Sequence, residues 1–286
     1  MLLLALLLAT DPYQPADVPA SAVEQLTHAT QTLSAGDLGG AAIELEHVIE
    51  ANPNYFLAHY DLGVVYQQLG LLDQSARELR RAKDLNDSLK LGEATIDASL
   101  GWVRYLQHDY SAAQSLSMTS LESPNFPKLD VQERRRIFSN LASIYSARRQ
   151  PCQAQLYYDL GTSTSSKGAA STTELQGSWI LVRWMPPVTG AGILAASDLQ
   201  GVLKIDPGEN GAAYRGVLTL CVGQHWKDRP VEEFTISKDG LHVSLVGKVT
   251  QGSAIWNDDR LSTTLDGFRM SGSDSEHATV VFTKVF

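Results

Sequence analysis

Cysteine is scarce in this chain, with only Cys152 and Cys221 among 286 residues. They stand in segments of different character, so two small buried apolar side chains are expected rather than a disulfide between them. There is no C-x-x-C, and none of the seven histidines is part of an H-x-x-x-H. The spacings that seat a metal on a turn or a helix face are therefore missing. Basic residues form no field: 23 Lys and Arg face 32 Asp and Glu, for a net charge of -9. With nothing to neutralise a phosphate backbone, nucleic acid is excluded as an expected partner. No apolar run reaches the roughly 18 residues of a membrane-spanning helix. The chain also lacks a G-x-S-x-G elbow, a phosphate-cradling glycine loop and a G-x-G-x-x-G after a strand. Glu232-Glu233 and Asp258-Asp259 are adjacent carboxylates, and neighbours on a strand point to opposite faces, so neither pair forms an acid/base dyad by spacing. These absences favour a protein that is not an enzyme and needs no cofactor or metal.

What is present starts with an apolar run, MLLLALLLAT, followed by a leader rich in proline and small residues up to Ser21. Residues 1–21 read as a signal-like segment, with Ala20-Ser21-Ala22 as a plausible cleavage motif and no Lys or Arg ahead of the run. An exported protein, periplasmic or secreted, is expected, with a cytoplasmic one as the alternative. The apolar content of 43% and charged content of 19% are those of a globular chain, and its length suits two domains.

From Ala22 to about Gly161 the apolar residues recur at helical spacing. The pattern repeats with a period of about 34 residues. Gly36, Ala41 and Pro53 are matched by Gly70, Ser75 and Asp87. Each Gly stands between two amphipathic segments, where a first helix must stop and the chain turn. Ala41 and Ser75 are small where the helices of one hairpin should cross. Later copies are Leu100-Gly101 with His108-Asp109-Tyr110, and Leu141-Ala142 with Tyr145, Arg149 and Pro151. His108 and Arg149 occupy the turn-glycine positions of those copies.

Leu62-Gly63, Tyr66, Gly70, Leu79 and Ala82 resemble the signature of the tetratricopeptide repeat. The resemblance covers about half of the chain and implies four stacked hairpins over residues 22–161. In that architecture the first helices line a concave, peptide-binding groove. The groove positions are Leu26 and Thr30, then Tyr60, Val64 and Gln67, then Trp102 and Tyr105, then Ser139 and Ser143. The Lys and Asn set with which members of the family grip a terminal carboxylate is missing here, so the aromatic positions point instead to an extended or helical peptide. Arg134-Arg135-Arg136 reads as a solvated face.

Residues 162–173 are small and polar, as in a flexible linker. Over 174–286 the period changes to two. Strand patterns alternate with turn signals at Asn210-Gly211, Asp239-Gly240 and Asp266-Gly267, which favours a small antiparallel barrel or sandwich. Gly177-Ser178-Trp179 and the final Thr279–Lys284 segment resemble the ends of a lipocalin-like barrel. That resemblance implies that Trp179 closes one end with Lys284 across it, and that the barrel could hold a small apolar ligand. Trp226 stands in the most chemically varied loop.

The expected fold is thus α+β in two domains, an all-α helical-hairpin solenoid followed by an all-β antiparallel barrel. The expected function is a non-enzymatic adaptor or scaffold whose groove holds another protein or peptide. The alternative is a carrier of a small lipophilic ligand in the barrel, with the repeats as a docking arm.

Overall fold

The computed structural model describes residues 18–89, 93–162, 175–185, 199–207, 214–222, 231–239, 242–249, 260–266, 269–273 and 279–284. Eight α-helices come first: α1 Ala20–Ser34, α2 Leu38–Ala51, α3 Phe56–Gln68, α4 Leu72–Leu89, α5 Ala94–Leu106, α6 Tyr110–Glu122, α7 Val131–Ala147 and α8 Pro151–Thr162. Eight strands follow: β1 Gly177–Met185, β2 Leu199–Pro207, β3 Tyr214–Val222, β4 Val231–Asp239, β5 His242–Val249, β6 Arg260–Asp266, β7 Arg269–Ser273 and β8 Thr279–Lys284. The expected α+β architecture is the observed one.

Every hairpin turn is built the same way, although only two of them use glycine. Gly36, Gly70, His108 and Arg149 have φ of 89°, 75°, 64° and 58°. In each case the next residue donates its N–H to a carbonyl five residues back. These bonds run from Asp37 to Thr32, Leu71 to Tyr66, Asp109 to Arg104 and Gln150 to Tyr145. This arrangement satisfies the last carbonyls of the first helix and requires one left-handed residue. A side chain in that region costs roughly 1 kcal/mol. Arg149→Gly should therefore raise the stability of its hairpin by about 1 kcal/mol, read as a higher urea midpoint at unchanged slope.

Three helices, α2, α6 and α7, start on side-chain caps. Asp37 accepts from the N–H of Gly40 at 2.8 Å and Asp109 from that of Ala112 at 3.1 Å. Asp130 caps α7 through the N–H groups of Gln132 and Glu133. Pro151 opens α8, where its missing N–H has no consequence.

Within a hairpin the two helices cross at small residues. A Cβ on Gly63 would stand 2.6 Å from Leu79 Cγ, and the buried Ser75 hydroxyl donates to the Gly63 carbonyl at 2.6 Å. In the third hairpin a Cβ on Gly101 would meet Ser117 Oγ at 2.6 Å. The small residues at the repeat positions thus permit helix axes too close for any larger side chain.

The chain forms two compact units, Met1–Ser123 and Pro124–Phe286. The first holds hairpins α1–α2, α3–α4 and α5–α6. The fourth hairpin belongs to the second unit with the barrel, which places the division near Ser123 rather than at the expected boundary after residue 161. Within that unit Phe126 meets Phe138 edge-on, and Phe138, Tyr157 and Tyr145 stack in turn, with centroids 5.6, 6.2 and 5.3 Å apart along the row.

Each strand is antiparallel to the next, and β1 also pairs with β8, so the eight strands close into an up-and-down barrel. The strand pairs β2–β3, β4–β5 and β6–β7 flank the three turn signals read in the sequence. Residues 163–173 of the expected linker lie outside the described residues. Alternate side chains point inward. Trp179, Leu181, Leu203, Ile205, Leu218, Leu220, Ile236 and Phe282 are among those that form one core.

Part of the outer face of the barrel is buried as well. Ile180, Val202, Gln200 and Cys221 are each at most 6% exposed, and α8 packs on β2 and β3. Gln200 donates to the Tyr145 hydroxyl from β2 to α7. Cys152 of α8 is bonded to Cys221 of β3, with 2.12 Å between sulfurs and 5.8 Å between Cα atoms. The sequence reading that expected two separate thiols is corrected here. It assigned α8 and β3 to independent domains, whereas the last hairpin lies on the barrel wall and brings the two cysteines together.

Candidate protein-binding groove

The first unit contains the residues that sequence reading placed on a groove. On α3, Leu57, Tyr60, Val64 and Gln67 follow the helical i, i+3, i+7 and i+10 spacing and are all half-buried. The opposite face, with Phe56, His59, Leu62, Gly63 and Tyr66, is buried. These four residues form a stripe of partly exposed side chains along a helix otherwise enclosed by its neighbours up to its last residue.

Tyr60 is the best-anchored member of that stripe. It packs against two buried clusters, one of Phe56, Ala82, Leu85 and Ile96 and one of Ala76, Leu79, Leu100 and Val103. Its hydroxyl lies 3.3 Å from Ser99 Oγ on α5. Tyr60 therefore joins the second and third hairpins and still keeps part of its surface open.

On α5, Trp102 and Tyr105 are half-buried and stacked, with ring centroids 4.7 Å apart and planes at 16°. Tyr110 tilts against Tyr105 at 5.7 Å, and the His108 ring meets Tyr110 edge-on at 6.0 Å. The mutual stacking holds these large rings in fixed rotamers, which lowers the entropy lost when a ligand lies against them.

Leu26 does not belong to this surface. It is 1% exposed and sits with Ala22 and Ala29 in a core shared with α2 and α3. The side chains at 22, 26 and 29 form the packing face of α1, which turns the expected groove position inward. Thr30 is buried too, and its hydroxyl donates to the Thr27 carbonyl. Ser139 and Ser143 stand on the fourth hairpin, in the other compact unit.

The structure adds one residue that sequence reading passed over. Asp61 lies between Leu57 and Val64 on the same α3 stripe and is 6% exposed. Burial raises its carboxyl from 3.8 to about 7. No hydrogen bond or ion pair reaches it among the described residues. Several cations of the unit are engaged elsewhere: Arg80 bonds the Ala76 carbonyl, Arg81 bonds Asn54, Lys83 bridges Asp87 and Asp97, and Arg104 bonds Gln107. A lone acid in an otherwise apolar helical stripe was the signal available in the sequence.

At the barrel end, Trp179 is fully buried and donates from Nε1 to the Leu175 carbonyl at 2.8 Å. Lys284, 2% exposed and opposite Trp179 in the β1–β8 register, holds its Nζ 5.6 Å above the tryptophan ring. The pair lies within range of a cation–π contact. Trp226 lies outside the described residues. The arginine run is not a uniformly solvated face, because Arg134 is buried at 6% exposure and its guanidinium is lowered from its ordinary value by that burial. Arg136 is paired with Glu133 at 2.7 Å. Among the described residues no group of His, Cys, Asp and Glu could hold a metal ion, and no helix is long and apolar enough to cross a membrane.

No family model matches the chain, and no curated protein is significantly similar to it in sequence. Solved structures similar to part of it include MamA, 19% identical over 46% of this chain and 71% of that one, with a TM-score of 0.40. PilF of Pseudomonas aeruginosa is 22% identical over 49% of this chain and 60% of its own, with a TM-score of 0.43. PilW, described as a widely conserved type IV pilus biogenesis factor, is 18% identical over 50% and 62%, with a TM-score of 0.44.

Proposed function

We propose that this protein is a non-enzymatic adaptor that holds an extended or helical segment of another protein against α3 and α5. The observation that carries this reading is the half-exposed stripe of Tyr60, Val64 and Gln67, beside the stacked pair Trp102–Tyr105. Aromatic side chains held rigid by their neighbours and still open on one side are the usual anchors of protein interfaces. The tetratricopeptide-like hairpin gives them a fixed backbone, since Gly63 and Gly101 lock each helix pair at close distance.

The Cys152–Cys221 bond supports a location outside the cytoplasm, where disulfides form and persist. That accords with export read from residues 1–21, which fall almost wholly outside the described residues. The barrel then serves as the body on which the fourth hairpin is fixed.

The test is a photo-crosslinking residue at Gln67 in the full-length protein, expressed in its own cells. A crosslinked partner should be identified, purified and titrated against the unmodified protein. Trp102→Ala should weaken that complex by about 30-fold or more, with unchanged helical content. A partner bound equally well by Trp102→Ala and Tyr60→Ala would refute the groove.

A further inference from the structure

We propose that the groove selects a basic side chain, Lys or Arg, in the segment it binds, and that the Asp61 carboxylate receives it. This rests on the groove reading above and names the chemistry of the partner.

Asp61 is a poor choice for structure alone. A buried carboxyl is normally paired or multiply hydrogen-bonded, because desolvating the charge without compensation is unfavourable by several kcal/mol. Nothing among the described residues compensates it, and a threonine or leucine of similar size would pack there without that penalty. The neighbouring acid on α5, Asp97, shows the contrast: it is 7% exposed, and Lys83 reaches it at 3.0 Å. The repeat therefore supplies a cation to one buried acid and leaves the other open.

The position of Asp61 makes that difference meaningful. It is one residue from Tyr60 and three from Val64, inside the only stripe of α3 with exposed side-chain surface. A peptide lying along that stripe covers Tyr60 and Val64 and brings its own side chains to the carboxylate. An apolar side chain would leave the acid desolvated and unpaired. An ammonium or guanidinium would pair with it in a water-poor site, where a charge-assisted hydrogen bond is strongest. Charge complementarity points the same way, since the chain as a whole carries -9. The expected segment has an apolar or aromatic anchor for Trp102 and Tyr105 and one Lys or Arg for Asp61.

The experiment is selection of random twelve-residue peptides on the oxidised full-length protein, with Trp102→Ala and Asp61→Asn as comparison baits. The expected result is a set of peptides that need Trp102 and share one Lys or Arg. Replacing that residue by norleucine should weaken binding to the wild type at least about tenfold. The same replacement should have little effect on binding to Asp61→Asn, a coupling that a merely structural Asp61 would not produce. Peptides that need Trp102 but share no cation, or that bind Asp61→Asn equally well, would overturn the role of Asp61 and leave the groove standing. Enriched peptides that are all indifferent to Trp102→Ala would overturn both. A bound cation that prefers neutral glutamine in its place would assign Asp61 a hydrogen-bonding role and refute charge selection.

Discussion

Asp61→Asn should make the first unit more stable, by about 4 kcal/mol at pH 8 and by almost nothing near pH 4. The sign follows from proton linkage. The carboxyl is raised from 3.8 to about 7 in the folded chain because burial disfavours its charged form. Below about pH 4 both folded and unfolded chains carry the proton and the group has no effect. Between about 4 and 7 the unfolded chain ionises and the folded chain does not, so stability falls as pH rises. Above 7 both are ionised and the loss is complete. A displacement of that size at ~1.4 kcal/mol per unit corresponds to about 4 kcal/mol. Asparagine has nearly the same shape and no charge to desolvate. Urea unfolding of wild type and variant at pH 4, 6 and 8 measures the difference directly. A constant difference across that range would mean that the Asp61 carboxyl is not shifted in the folded protein, and a difference that reverses sign as the pH rises would mean that a cation pairs with it. The same measurement bears on function, since a buried charge without a partner leaves an unfavourable term that a bound cation can relieve.

The second large effect concerns the bond between α8 and β3. Replacing both Cys152 and Cys221 by Ala should destabilise the second unit by about 4 kcal/mol. The crosslink closes a loop with a sequence separation of 69. In the chain-entropy account, opening a loop of that length gives the unfolded chain back about 4 kcal/mol of conformational freedom. The first unit has no share in this loop, and its transition should stay where it was. Unfolding followed by tryptophan emission should therefore separate into two steps, with Trp102 reporting the first unit and buried Trp179 the second. Equal midpoints for the oxidised wild type and the double variant would show that hairpin and barrel hold together without the bond. Such a result would also weaken the case for an oxidising compartment.

Much of the fold was legible because its signals are local. Glycine at 36 and 70 marks a left-handed turn, and the spacing carried that requirement to His108 and Arg149, residues that do not favour the conformation. All four have positive φ. Gly63 and Ser75 were small for the reason found, a close crossing of two helices. The Asp-Gly and Asn-Gly pairs marked the ends of antiparallel strands, because only a few residues tolerate the backbone of a tight reversal. One further signal was available and carried more than alternation: WILV in β1 and VVF in β8 are continuous apolar runs. Ile180 and Val281 on the outer side of those strands are indeed buried. Such runs are expected where a strand is covered on both faces.

The half-exposed surface of α3 and α5 was only partly legible. Spacing placed Tyr60, Val64, Gln67, Trp102 and Tyr105 on the open stripe, since helical periodicity fixes which residues share a face. It placed Leu26 there by the same rule and was wrong, because which face of α1 turns inward depends on α2 and α3 packing against it. Arg134 was lost from the solvated face for a similar reason.

The sequence by itself determined the helical period, the turns, the change from helix to strand and which residues share a face of an element. Those properties depend on residues within a few positions of each other, where backbone sterics and side-chain volume act directly. The tertiary structure decided that the fourth hairpin belongs with the barrel, that Cys152 meets Cys221 and that Asp61 is desolvated without a partner. Each of these depends on which surfaces come together across long stretches of chain, and burial and proximity exist only once those surfaces have packed.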